Sequence, residues 1–426
     1  MVAPTDHGQP PRRRAVVVGA GICGLAVAGL LDRAGWRVRL LERAEGPRGA
    51  GYMIDFFGPG FGTAERIGLL PGLRRRSAPY DAVRYVDSRG RTTATLRMEA
   101  LLGAAGGRYL GILRPDIEAA LREWLPPGVE VVQGARVVGA EPGRLPARAG
   151  DAGVPAAAVL TDGTRIEAEL LVGADGIHSA VRRAVFGPED GFLLRLGFHA
   201  AGFVFSDPPI AARLGRDVAL TDSLRRQVGL YGLPGGRVAA FAVEATGEPA
   251  APRDPRAALR ERYRGLGWMV PEVMGHVPDD VYYDVVAQAL VPRWHHGRTV
   301  LAGDAAHAVS LLAGQGASLA LAGAEVLAER LGAHGQDLGA GLAAYERDWR
   351  PVVGRHQAAG RRSAAFFVPP GPLSRWARRH AVRALRGGPL SRLVAHAAFA
   401  TGGWRSGAPR CPPTWPAAGA RATDRA

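Results

Sequence analysis

Lysine is absent from this 426-residue chain, so all 54 basic residues are arginine. Against 39 acidic residues this leaves a formal charge of +15. The arginines are scattered and no nucleic-acid motif accompanies them. A uniform choice of arginine reads as a bias towards GC-rich codons, so the basic charge loses its usual value as a sign of a nucleic-acid partner. Cysteine is nearly absent too. Cys23 and Cys411 offer neither a disulfide framework nor a metal-ligand spacing, which suits a reducing cytoplasm and predicts no metal site. No stretch reaches the ~20 apolar residues of a membrane-spanning helix. Arg12, Arg13 and Arg14 before the apolar run 15–31 superficially resemble a secretion signal. That run carries glycines at 19, 21, 24 and 29 and continues into Asp32 and a second strand, with no clear cleavage site.

Glycine is abundant, with 59 residues, and one cluster organises the chain. Ala15 to Val18 read as a buried strand, and Gly19, Gly21 and Gly24 follow in G-x-G-x-x-G spacing. An apolar helix over 25–34 and a second strand over 36–41 come next, ending in Glu42. Gly19 permits the turn out of the strand, Gly21 lets backbone approach a pyrophosphate, and Gly24 lets the helix pack on the sheet. The helix N-terminus then faces the phosphate charge, and Glu42 can accept from a ribose hydroxyl. The unit predicts a dinucleotide site, with Cys23 inside its turn.

The remaining pattern is α/β. The sequence predicts helices over 63–68, 115–125, 255–269, 318–331 and 338–355. It predicts strands over 129–140, 157–161, 165–172, 281–290 and 298–302. Residues 82–97 read as two strands around Ser88-Arg89-Gly90, and 192–246 as antiparallel strands with a Pro-Gly-Gly turn. The expected organisation is a discontinuous nucleotide-binding domain over 14–188 and 283–360. A β-rich substrate domain over 189–282 interrupts it, and 82–100 are candidates to add strands to that domain. A basic, amphipathic C-terminal helical segment is expected over 361–400, with disorder over 1–13 and 401–426.

Two further motifs follow the first in order: GADGIHSAVR at 173–182, and GDAAH at 303–307 with GQG at 314–316. With GAGICG and Glu42, this set resembles the group A flavin-dependent monooxygenases of the p-hydroxybenzoate hydroxylase type. GYMIDFFG and LLAGQGASLALAGAEVLA look nearest to the branches that hydroxylate polycyclic aromatics and tetracyclines. The resemblance implies a Rossmann-like, glutathione-reductase-type FAD domain with a β-sheet substrate domain and C-terminal helices. It implies FAD as cofactor and NADPH or NADH as transient co-substrate. The implied reaction is hydroxylation of an electron-rich aromatic or polycyclic natural product by O2 through a flavin C4a-hydroperoxide. An oxidase, reductase or cyclase without net oxygenation is the alternative on the same fold.

By the same resemblance Asp304 binds the ribityl chain, where the residue pattern alone also allows a helix cap. Gly314, Gly316, Ala317 and Ser318 bring backbone and a helix N-terminus to the flavin ring. Asp175 brackets FAD and the nicotinamide cofactor, with Arg182 in the same motif or else a solvated helix arginine. Arg114 lies over FAD, Arg43 near the adenosine and Val137 against adenine. Leu311 stands where the family usually carries proline, so a fixed φ is lost beside the flavin's reactive edge. His307 reads as holding its turn, and His295 and His296 as a surface loop. For substrate contact the candidates are Met53, Asp55 and Phe57 after the first glycine loop. Tyr231, Gln227, Arg225 and His199 on the substrate-domain strands are candidates for substrate contact or catalysis. The expected partners are a small aromatic molecule and O2, with the protein a monomer or homodimer. The arginines at 375, 378, 379, 383, 386 and 392 also suit an anionic membrane surface, although the same helix more simply covers the FAD domain.

Overall fold

The structure, a computed structural model, describes residues 12–46, 51–99, 102, 106–148, 151–368, 371 and 373. Of the expected C-terminal helical segment 361–400 only 361–368, 371 and 373 are described, and of the expected disordered ends 1–13 and 401–426 only 12 and 13.

A six-stranded sheet forms the first layer. Its order is His295–His296, Thr299–Leu301, Leu170–Gly173, Arg14–Val18, Arg37–Leu41 and Glu130–Val132. All neighbours are parallel except the first pair. Apolar side chains line both faces, as a parallel sheet covered on both sides requires. Val17, Leu40 and Leu171 are fully buried. Each such side chain contributes roughly 2 kcal/mol. Helix Ile22–Arg33 begins directly after Gly21, three residues earlier than the apolar run alone suggests. It packs against helix Gly316–Ala333, which brings the first and third motifs together.

The second layer is a seven-stranded sheet. Its order is Tyr282–Ala289, Leu193–Ser206, Arg237–Ala245, Arg226–Leu233, Asp217–Ser223, Ala82–Val86 and Thr92–Arg97. The two early strands thus join a sheet built mainly from 193–289. A small antiparallel pair, Met53–Phe57 with Tyr109–Leu113, belongs to neither large sheet.

Other helices also differ from the pattern in the sequence. Pro59 starts helix Pro59–Arg66 four residues before the expected position, since proline suits a first helical turn. The helix expected over 255–269 ends at Tyr263, and a separate helix, Val270–Gly275, begins after Gly267 and Trp268, which both take positive φ. Helix Leu338–Phe367 runs through Pro351 and beyond its expected end.

Candidate active site

The glycine turn has the geometry its spacing predicts. Gly19 has φ 98°, and a Cβ there would lie 2.6 Å from the Ala174 carbonyl oxygen. A Cβ on Gly24 would lie 1.8 Å from the Gly19 oxygen. Gly21 caps the helix without any side-chain hydrogen bond, so the helix's first N–H groups stay open to a ligand. The Glu42 carboxylate accepts from the backbone N–H of Ala20 (2.8 Å) and Ala44 (2.9 Å). The Ala135 N–H donates to the Glu42 carbonyl, which sets the start of strand Val137–Glu141 beside the Glu42–Arg43 corner. Arg43 is exposed there.

From this turn a cavity of about 520 Å³ runs between the sheets. Its cofactor-side wall includes Gly21, Cys23, Arg114, Asp304, Gly314, Gly316 and Ala317. Asp304 opens a short helix, Asp304–His307, after strand Thr299–Leu301 and Gly303. Its carboxylate faces the cavity and makes no hydrogen bond with the described residues. Burial pushes its pKa up, and the Arg114 guanidinium opposes that. Arg114 itself pairs with Glu118 at 2.9 Å. A Cβ on Gly314 would meet nothing within 4 Å, and one on Gly316 only an Asp304 oxygen at 4.0 Å. An unsatisfied carboxylate, open glycine backbone and a helix N-terminus converge on one space. That donor set fits the hydroxyl-rich chain and ring of FAD.

From Arg114 outward the cavity wall is aromatic. Tyr52 packs on Tyr282 with ring centroids 4.9 Å apart and on Phe241 at 5.7 Å. Met53, Asp55, Phe57, Tyr109 and Tyr231 also line it. The Tyr109 hydroxyl donates to Asp55 at 2.6 Å. Burial raises the Asp55 pKa, and that hydrogen bond opposes the rise.

Several expected residues sit elsewhere. Asp175 turns its carboxylate onto its own segment, accepting from Ser179 Oγ (2.5 Å) and the Ala180 N–H (2.7 Å), while Ala174 and Gly176 line the cavity. Arg182 is not a solvated arginine. It is fully buried and donates to the carbonyls of Ala305 (3.0 Å) and Ile177 (2.5 Å). Ser318 is absent from the cavity wall, and its hydroxyl accepts from the Gly60 N–H. Among the strand candidates only Tyr231 reaches the cavity. Gln227 shares its face but lies four residues away, about 13 Å along the strand. Arg225 occupies the hairpin turn at φ 66° and donates to the Ala245 carbonyl. The His199 ring contacts Tyr283 Oη (2.9 Å) and the Glu248 carbonyl (3.0 Å).

His307 is buried against Trp294, and burial lowers its pKa to about 4, so it is neutral at pH 7. His295 is no simple surface residue, since its Nδ1 lies 2.9 Å from Glu346. Leu311 starts a short turn, Leu311–Ala313, and the strained backbone is one residue earlier, at Ser310 with φ 96°. Such a conformation costs about 1–3 kcal/mol. The Ser310 hydroxyl accepts from the Leu312 N–H at 3.2 Å, which holds the turn without proline.

The family model of the FAD binding domain matches residues 12–358, and the chain belongs to that family. The 3-amino-4-hydroxybenzoate 2-monooxygenase PtnB3 of Streptomyces platensis is 32% identical over 386 residues, covering 87% of this chain and 92% of that protein. The fold is that of the tetracycline destructase Tet(55), with TM-score 0.73, 24% identity and coverage of 91% of this chain and 98% of that one. Klebsiella pneumoniae HpxO, solved with FAD and uric acid, superposes with TM-score 0.74 at 22% identity, covering 91% and 97%. Fold, site and relatives define an FAD-dependent monooxygenase of group A.

Proposed function

We propose that this enzyme takes reducing equivalents from NADPH or NADH and hydroxylates a small, electron-rich aromatic or polycyclic natural product. One observation carries the reading. Asp304, Arg114 and Gly314 share a single cavity with an aromatic, largely apolar chamber. FAD, when bound, supplies hydride acceptance from the nicotinamide and the transfer of one atom of O2.

The chain's residues supply binding, orientation and exclusion of water. Gly19, Gly21 and Gly24 would admit the pyrophosphate, with Glu42, Arg43 and Val137 at the adenosine end. Asp304 would accept from ribityl hydroxyls. The N-terminus of helix Gly316–Ala333 would favour negative charge on the ring. The apolar walls from Val218, Leu220 and Phe241 keep bulk water from the reacting atoms. The motif order in the sequence offers no second dinucleotide fingerprint, which suits a reductant that binds transiently.

The test uses the FAD-loaded protein, NADPH or NADH, isotopically labelled O2 and a panel of phenols and fused-ring phenols. Reductant consumption that rises with substrate, and a product carrying one labelled oxygen, are the expected results. Turnover that yields oxidised products without incorporated oxygen across the panel would favour an oxidase, reductase or cyclase. The Asp304→Asn variant should bind FAD at least tenfold more weakly, about 1.4 kcal/mol, measured by flavin fluorescence titration.

A further inference from the structure

The protein is strongly basic, with 54 arginines, yet its cavity is acidic. Among the described residues that line it, the charged ones are Asp55, Asp284, Asp304 and Arg114. Arg114 is the one cation, and it is already paired with Glu118. It also lies at the cofactor end, opposite Asp304. Asp284 is engaged by His178 Nε2 at 3.3 Å. Asp55 stands apart from all of these. It is three residues along its strand from Tyr52, whose carbonyl accepts from the Arg114 N–H, a separation of about 10 Å. Among the described residues its hydrogen bond is from the Tyr109 hydroxyl to Oδ1, which leaves Oδ2 without a donor on this cavity-lining residue.

We infer that this chamber selects aromatic substrates that present a hydroxyl or amino donor to Asp55 and rejects those that carry a carboxylate. The inference rests on the proposed reading of the cavity as the aromatic-substrate site. An aromatic carboxylate entering here would lose its hydration and find no free cation among the described wall residues. An uncompensated buried charge costs several kcal/mol. A ring hydroxyl or amine meets the opposite situation, an acceptor presented on the cavity wall among apolar neighbours with a lone pair to spare. Met53, Phe57 and Tyr231 on the surrounding strands supply apolar and aromatic surface for the ring itself. The preference would set this enzyme apart from its relative PtnB3, whose name specifies a hydroxybenzoate.

The experiment compares three ligands of one shape on the FAD-loaded protein: 2-naphthol, 6-amino-2-naphthol and 6-hydroxy-2-naphthoate. Binding is read by calorimetry and by perturbation of the flavin absorbance, so no turnover is needed. The naphthol and aminonaphthol are expected to bind at least tenfold more tightly than the naphthoate. The Asp55→Asn variant, with flavin content as its folding check, is expected to shrink that ratio at least threefold, because an amide can donate to a carboxylate. Equal or tighter binding of the naphthoate by the unaltered protein would overturn the inference, and so would failure of both uncharged ligands to bind at millimolar concentration. An unchanged ratio in a folded Asp55→Asn protein would overturn the role of Asp55. If discrimination is found but no ligand is ever oxygenated, the hydroxylation reading falls and the selectivity stands.

Discussion

Two glycines three residues apart in one motif have different reasons for being glycine. A Cβ on Gly24 would press into the backbone oxygen of Gly19 at 1.8 Å, which no rotamer can relieve. A Cβ on Gly21 would meet only Arg114 and Glu118 side-chain atoms at 3.7 Å, and Gly21 has an extended φ of −79° open to any residue. Gly24→Ala should therefore destabilise the protein itself, by more than about 3 kcal/mol, because the helix must move off the strand. Gly21→Ala should leave the thermal midpoint of FAD-free protein unchanged and weaken FAD at least tenfold, since its methyl would occupy the space a pyrophosphate needs. Thermal unfolding of the FAD-free variants and flavin titration separate the two. Equal loss of stability in both would show that Gly21 also serves packing.

At the scale of elements, the short helix that carries Asp304 depends on the second motif. Arg182 holds the Ala305 carbonyl, and the neighbouring His178 bridges Glu189 (3.0 Å) and Asp284 (3.3 Å). That bridge ties the second motif to strand Tyr282–Ala289, the edge of the seven-stranded sheet. Hydrogen bonding to Asp284, with further help from Glu189 against partial burial, raises the His178 pKa from 6.5 to about 9. A raised folded-state value means that the stabilisation is fully present below pH 6.5 and is lost as pH rises through about 9. The ring is half exposed, so solvent screening holds the effect to about 1 kcal/mol or less. The stability difference between the native sequence and His178→Gln should be greatest near pH 6 and vanish above about pH 9.5. A pH-independent difference in thermal midpoint would rule out the charged bridge.

Local spacing and long-range strand pairing differ in how much of the site they write into the sequence. The glycine turn and Glu42 are read from residues close together in the chain, where spacing dictates geometry, whereas Asp304, Gly314 and Gly316 follow from the resemblance to the group A flavin-dependent monooxygenases. The aromatic chamber is assembled across strands. Tyr52, Tyr109 and Tyr282 come from three strands or strand ends whose pairing no local pattern specifies, so they carry no signal beyond being aromatic. Gln227 and Tyr231 show the same limit. Alternation puts them on one face, but only the position of the strand along the cavity decides which of them a ligand can reach.

At the scale of the whole molecule, the chain enters the seven-stranded sheet twice, at 82–97 and again at 193–289, and returns to the six-stranded sheet each time. Neither sheet is a detachable segment. The cavity also draws Gly21 and Asp304 from one layer and Tyr231 and Phe241 from the other, so loss of either layer would expose the apolar wall of its partner. We expect one cooperative transition. Among the described residues, the buried Trp36, Trp294 and Trp349 place tryptophan fluorescence in the FAD-side core, whereas far-ultraviolet dichroism reports on both sheets. The two melting curves should coincide. FAD at a hundredfold excess over its dissociation constant should stabilise the fold by about 2.7 kcal/mol. With about 350 residues unfolding together, the entropy per residue makes that a rise of about 4 °C in both signals. A fluorescence transition that moves with FAD while a separate dichroism transition stays in place would mean that the substrate sheet unfolds independently. The cavity wall it provides would then be an element that opens and closes over a stable FAD-binding core.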